Sequence, residues 1–230
     1  AFIEEIKRDD EVRVAILTGN GRNFCAGTDI SSGELTPPPK KEKSARQADQ
    51  EPSDYETGFP KTAFSSIAKP TVCAINGAAV GLGSEYPLHC DVRIASESAR
   101  FGQIFVLRGL TPDTGAGTYL LPHIVGFSKA CELVFSGEII DAQEMLRIGL
   151  VSKVVPDDAL MPAALEMARK LKRGAPLAVK KCKQQMYMGL QRTMEEHQKV
   201  NAADLQSMSG AEIQEGIASF LEGREPRWTK

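Results

Sequence analysis

Two hydrophobic rhythms divide this 230-residue chain. As far as Pro156, short β-branched runs alternate with glycine-containing turns and short helical patterns, and beyond it the apolar spacing is helical throughout. Phe2, Ile3 and Ile6 stand at helical spacing between charged residues, so residues 1–10 are expected to form a helix. Residues 12–18 (VRVAILT) and 71–75 (TVCAI) are apolar runs closed by turn residues, which predicts two buried strands. Residues 91–95 and 151–155 predict two more, and residues 99–103 a short extended piece. Residues 127–135 read as a helix stopped by Gly137, and Asp141-Ala142-Gln143-Glu144 as a capping box opening a helix that Gly149 ends. After Pro156 the pattern predicts helices near 160–173, 177–190, 194–207 and 211–221. The expected organisation is an α/β core over residues 1–156 and a helical region over 157–230.

The stretch 69–91 (KPTVCAINGAAVGLGSEYPLHCD) carries the first candidate chemistry. Its strand runs through Asn76-Gly77 to Gly81-Leu82-Gly83, and Glu85 follows. Glycines between a strand and a helix leave backbone N–H groups uncovered at the helix start. When such donors meet the oxygen of a reacting carbonyl they form an oxyanion hole, and a carboxylate close by can move the proton. A bare Gly-x-Gly is also the mark of a tight turn that packs a helix on a strand, so the decision rests on the rest of the chain. Because proline is comfortable only in a helix's first turn, Pro87 predicts a helix beginning at Ser84 or Glu85, with the N–H groups of Leu82 and Gly83 free.

Three segments together supply that decision. Phe24-Cys25-Ala26-Gly27-Thr28-Asp29, the stretch just described, and Phe101-Gly102-Gln103 with Gly109-Leu110-Thr111-Pro112-Asp113 resemble the crotonase family, the enoyl-CoA hydratase/isomerase superfamily, in order and spacing. The likeness runs from about Val12 to Trp228. It implies a spiral of repeated ββα turns with a C-terminal helical trimerisation region, and an acyl-CoA substrate whose thioester oxygen lies between the N–H groups of Ala26 and Leu82. It places Asp29 and Ile30 along the CoA, and Cys25, Gly27, Gly81, Gly83 and Phe105 around the acyl-CoA. Phe220 is expected to reach the acyl pocket or CoA site of a neighbouring subunit. Leu82 stands where the family often has glycine, and Gly223 where it often has lysine, for which Arg224 is the available substitute. The family also has a strand-rich segment before this point, so the chain is expected to lack the start of the fold.

The resemblance also sorts the carboxylates. Hydratases of the family use a second glutamate twenty residues after the first, and here that place holds Phe105. Double-bond isomerases and related members have a carboxylate eight residues further on, which is Asp113. Glu85 and Asp113 are therefore the expected acid and base, and a double-bond shift in an enoyl-CoA or related ring acyl-CoA is favoured over hydration. A lone Pro-Asp-x-Gly is otherwise explained by a helix cap. Hydration or thioester hydrolysis through Glu85 alone remains the alternative, and a non-catalytic or RNA-associated homologue the alternative of another class. Replacing Gly83 by valine is expected to lower turnover more than stability.

Composition narrows the partners. A net charge of −2 lacks the basic excess of a nucleic-acid binder. Five cysteines without a C-x-x-C pair predict reduced thiols and a cytoplasmic setting, with Cys25 a core thiol because no base adjoins it. The three histidines are scattered and give no metal spacing, and no cofactor is expected beyond the CoA of the substrate. No apolar run approaches the ~20 residues of a membrane span. Residues 31–61, with Pro37-Pro38-Pro39, Lys40, Lys41, Lys43 and Arg46, read as a polar excursion whose cations either meet the CoA phosphates or simply face solvent. The apolar residues of the tail predict a homotrimer or a hexamer.

Overall fold

A computed structural model describes residues 2–29, 64–112, 114–208 and 210–228. The chain opens with helix α1 (Phe2–Arg8) and strand β1 (Ala15–Thr18), which begins three residues later than its apolar run. A short 3₁₀ turn (Phe64–Ser66) leads to β2 (Thr71–Ile75), β3 (Ala78–Val80) and α2 (Leu82–Leu88). Strands β4 (Val92–Ser96) and β5 (Arg100–Gly102), a 3₁₀ helix (Ile104–Arg108), α3 (Ala116–Val125) and α4 (Phe127–Ser136) form the next turn. The last turn of the core consists of β6 (Ile139–Asp141), α5 (Ala142–Arg147) and β7 (Lys153–Val155).

After β1, each pass of the chain gives one strand to each of two sheets. The first sheet runs β1-β2-β4-β7, all parallel, and the second runs β3-β5-β6, with β3 parallel and β6 antiparallel to β5. Parallel strands demand buried faces, and every residue of β2 is buried. One core cluster, with Cys73, Ile75, Phe101, Leu121, Leu133 and Met145, fills the space between the sheets and α3–α5. A second, with Val72, Ala74, Ile94 and Leu160, lies on the other face of the first sheet beneath the tail's first helix. Strands β3 and β6 are too short for periodicity to reveal.

The tail comprises α6 (Leu160–Lys172), α7 (Pro176–Gly189), α8 (Met194–Gln206) and α9 (Gly210–Leu221), within a residue or two of the sequence pattern. A buried ion pair fastens α7 to the core: Lys183 Nζ lies 2.7 Å from Asp91 Oδ2, and Tyr187 donates its hydroxyl to Oδ1 at 2.9 Å. Burial lowers the Lys183 pKa, against the pull of Asp91, and burial together with Asp91 raises that of Tyr187.

Helix α2 begins at Leu82, two to three residues earlier than the proline argument predicts, so Pro87 is its sixth residue. Gly81, with φ of 58°, turns the chain directly into the helix. The helix tolerates Pro87 because it has only seven residues and ends one residue later, so few hydrogen bonds are lost.

Candidate active site

The first motif is held against the second by the Asn76 side chain and by main-chain bonds. Asn76 accepts from Gly19 N and donates to Gly21 O, both at 2.9 Å, and this ties the turn after β1 to the end of β2. Cys25 then bridges Ala79: its N–H donates to Ala78 O at 2.9 Å and its carbonyl accepts from Val80 N at 3.0 Å. Half-buried Cys25 thus acts through its backbone. A Cβ on Gly27 would stand 2.9 Å from Val80 O and 3.4 Å from Leu82 N, so Ala26-Gly27 and Gly81-Leu82 are neighbours that need glycine for their approach. Among the described residues, no acceptor meets the N–H of Ala26 or of Leu82.

Gly83 packs more tightly than the sequence implies. A Cβ there would lie 1.9 Å from Cys25 O and 2.6 Å from its carbonyl carbon. Valine at this position would push the two motifs apart, so its cost falls on the fold as well as on turnover, contrary to the expectation from sequence.

Beneath this turn lies Glu85, with 0% of its surface exposed. Its Oε1 accepts from Gln103 Nε2 (2.9 Å) and Gly117 N (2.9 Å), and its Oε2 from Thr114 Oγ1 (2.8 Å) and Ala116 N (3.1 Å). The carboxylate therefore caps α3 from a distant part of the chain, and the N-cap residue of that helix, Gly115, offers no side chain. Because Thr114 gives its proton to Glu85, its oxygen accepts from His89 Nε2 (2.9 Å), and His89 Nδ1 in turn accepts from Ser65 (3.2 Å). Burial holds His89 neutral, with its pKa lowered to about 4. On the other side, Gln103 Nε2 also donates to Ser84 Oγ at 2.9 Å, and Ser84 Oγ donates to Gly81 O at 2.6 Å.

Several residues expected at the site are thus assembled: exposed Ala26, half-buried Gly27 and Leu82, and buried Gly81 and Gly83, with Glu85 beneath them. Ile104 lies 3.7 Å from a Cβ placed on Gly81, and the adjacent Phe105 is buried, with 5% exposure. Asp29 is exposed. Ile30, Asp113 and the excursion over 31–61 lie outside the described residues. Phe220 stands 84% exposed on α9. Arg224 is taken up by ion pairs with Glu215 (2.6 Å) and Glu222 (2.6 Å), which speaks against it as a substitute for the family's lysine. Ser65, Ser84, His89 and Thr114 escaped the sequence reading, because a hydroxyl or a single histidine has no spacing signal. Gln103 was visible only as part of Phe-Gly-Gln.

The described residues contain no group of three or more His, Cys, Asp or Glu side chains able to hold a metal ion, and no helix among them is long and apolar enough to cross a membrane. All five cysteines are unpaired thiols, and burial raises the pKa of Cys73.

A parallel sheet and a smaller mixed sheet wound by successive ββα turns, with two N–H-bearing turns side by side, define a protein of the crotonase fold. A model of the enoyl-CoA hydratase/isomerase family matches residues 1–230, and the chain belongs to that family. It is 42% identical over 190 residues to the short-chain-enoyl-CoA hydratase of Clostridium acetobutylicum, covering 82% of this chain and 69% of that protein. It is 31% identical over 229 residues to the 1,2-epoxyphenylacetyl-CoA isomerase of Escherichia coli, covering 99% and 85%. Among solved structures, the enoyl-CoA hydratase of Bacillus anthracis superposes with a TM-score of 0.81 at 31% identity, over 99% of this chain and 85% of that one.

Proposed function

We propose that this chain shifts a double bond in an enoyl-CoA, or rearranges a related ring acyl-CoA, with Asp113 moving the proton. The thioester oxygen is received by the N–H groups of Ala26 and Leu82, whose dipoles stabilise the enolate formed when an α or γ proton leaves. The observation that carries this reading is the apolar, buried Phe105 at the place where a hydratase's second carboxylate would orient a water. The capping role that would otherwise explain an aspartate at 113 is already filled, because Glu85 accepts from the first N–H groups of α3. Within the expected pair of carboxylates, direct proton transfer falls to Asp113.

Hydration or hydrolysis through Glu85 and a bound water is the second reading, favoured by the 42% identity to a hydratase. The burial of Glu85 and its four donors weigh against it. An RNA-associated role has no support from a net charge of −2. The remaining expectations extend the proposal: no cofactor beyond the CoA of the substrate, a homotrimer or hexamer, and a cytoplasmic setting in keeping with five free thiols.

The test is to incubate the protein with 2-enoyl-, 3-enoyl- and aryl-CoA thioesters and identify the products by mass spectrometry and ultraviolet absorbance. Asp113→Asn is expected to lower 3-enoyl-CoA isomerisation by roughly 10²–10⁴-fold, the loss typical of a general acid or base. Unchanged turnover in that variant would leave Glu85 as the catalytic carboxylate and favour hydration or hydrolysis.

A further inference from the structure

The proposed oxyanion donor Leu82 N–H belongs to the same peptide unit as the Gly81 carbonyl. In a trans peptide these two groups point in opposite directions, so whatever holds the carbonyl aims the N–H. The Gly81 carbonyl is held twice, by Ser84 N at 2.8 Å and by Ser84 Oγ at 2.6 Å. Ser84 is fully buried, and its hydroxyl oxygen accepts in turn from Gln103 Nε2 at 2.9 Å. The same amide nitrogen donates to Glu85 Oε1 at 2.9 Å, and Glu85 is fixed by Thr114 and by the N–H groups of Ala116 and Gly117. The second proton of the Gln103 amide thus has a defined direction, and that sets the Ser84 hydroxyl towards Gly81.

From this geometry we propose that Ser84 and Gln103 are positioning residues of the oxyanion hole, transmitting the fixed orientation of the buried Glu85 carboxylate to the Gly81–Leu82 peptide. Glu85 then serves the reaction as an anchor. A flipped Gly81–Leu82 peptide would present a carbonyl to the substrate and repel the enolate oxygen. With Ser84 held by Gln103, that flip would cost the Gly81 carbonyl both of its donors. The inference rests on the reading that Leu82 N–H receives the thioester oxygen.

The test uses cinnamoyl-CoA, whose absorbance moves to longer wavelength when donors polarise its thioester carbonyl, alongside isomerisation kinetics with a 3-enoyl-CoA. Ser84→Ala removes one of the two donors on Gly81 O. It is expected to shrink the red shift of bound cinnamoyl-CoA and to lower kcat about tenfold, less than outright removal of an oxyanion donor, while KM stays near the parent value. Gln103→Met keeps the side-chain length without the amide and is expected to act in the same direction, so it serves if Ser84→Ala does not fold. A residue that only supported the fold would move the melting temperature and leave the red shift intact. A red shift in the parent that persists unchanged in the folded variants, with unchanged kcat, overturns the positioning role alone. A parent that binds cinnamoyl-CoA without any red shift overturns the oxyanion-hole reading itself, and the inference with it.

Discussion

A carboxylate with no exposed surface is tolerable only when its lone pairs are met by donors. Glu85 meets that condition through four donors from two separate parts of the chain, residue 103 and residues 114–117, so its removal orphans them all. Even Glu85→Gln, which keeps the shape, turns an amide N–H₂ against two of those donors. It is expected to cost about 2–3 kcal/mol, since each unsatisfied buried group costs about 1–3 kcal/mol, and chemical denaturation will measure it. His89 supplies a second expectation. Its pKa is lowered by burial to about 4 from the ordinary 6.5, so the unfolded chain takes up this proton first as the pH falls. The stability owed to neutral His89 is complete above about pH 6.5 and is lost as the pH falls towards about 4, up to about 3 kcal/mol. His89→Gln should therefore flatten the decline of melting temperature between pH 6.5 and 4, and an undiminished slope would place the acid sensitivity elsewhere. Of this residue-level picture, Glu85 was legible in the sequence because it follows a Gly-x-Gly turn. Its partners were not, since residues 103, 114, 116 and 117 come near it only through folding.

At the scale of elements, what matters is how each helix is tied down. Helix α7 has a weak apolar face of its own and is held by the Asp91–Lys183–Tyr187 cluster, in which Lys183 is 6% exposed. Asp91 also accepts from Thr71 N and Thr71 Oγ1, so it joins the start of β2 to the tail. Asp91→Ala would leave a buried ammonium without its counter-charge, with the Lys69 carbonyl at 3.0 Å still accepting from it, and a strand N–H without its acceptor. A loss of about 3–5 kcal/mol is expected in urea unfolding. Helix α2 gives the opposite lesson from Pro87. Proline's local preference points to a later start, yet Gly81 starts the helix early, which packs Gly83 against Cys25 O. Gly83→Ala places a Cβ 1.9 Å from that oxygen. It should therefore reduce both melting temperature and turnover, whereas a purely catalytic effect would spare the former.

For the whole molecule, the outer surfaces of α8 and α9 expose Leu205, Ile213, Ile217, Phe220 and Leu221. A face of this kind marks an interaction surface, in line with the proposed trimer or hexamer. Sedimentation at micromolar concentration should give a multiple of three chains, and Phe220→Glu with Ile217→Glu should reduce the mass; a monomeric parent would count against assembly. The sequence by itself determined the α/β core, the four tail helices and the family, because strand runs, caps and the three glycine-bearing motifs are encoded within a few residues of one another. The glycine turn before Glu85 pointed to uncovered N–H groups, whereas Ala26 and Leu82 as the donors to the thioester oxygen came from the resemblance to the family and belong to the proposal. Only the tertiary structure decided that Glu85 is enclosed, that Gly83 touches Cys25, and that Ser65, His89, Thr114, Gln103 and Ser84 form one hydrogen-bonded chain around it. Those facts depend on contacts between segments far apart along the chain, and such contacts are fixed when the two sheets close on each other.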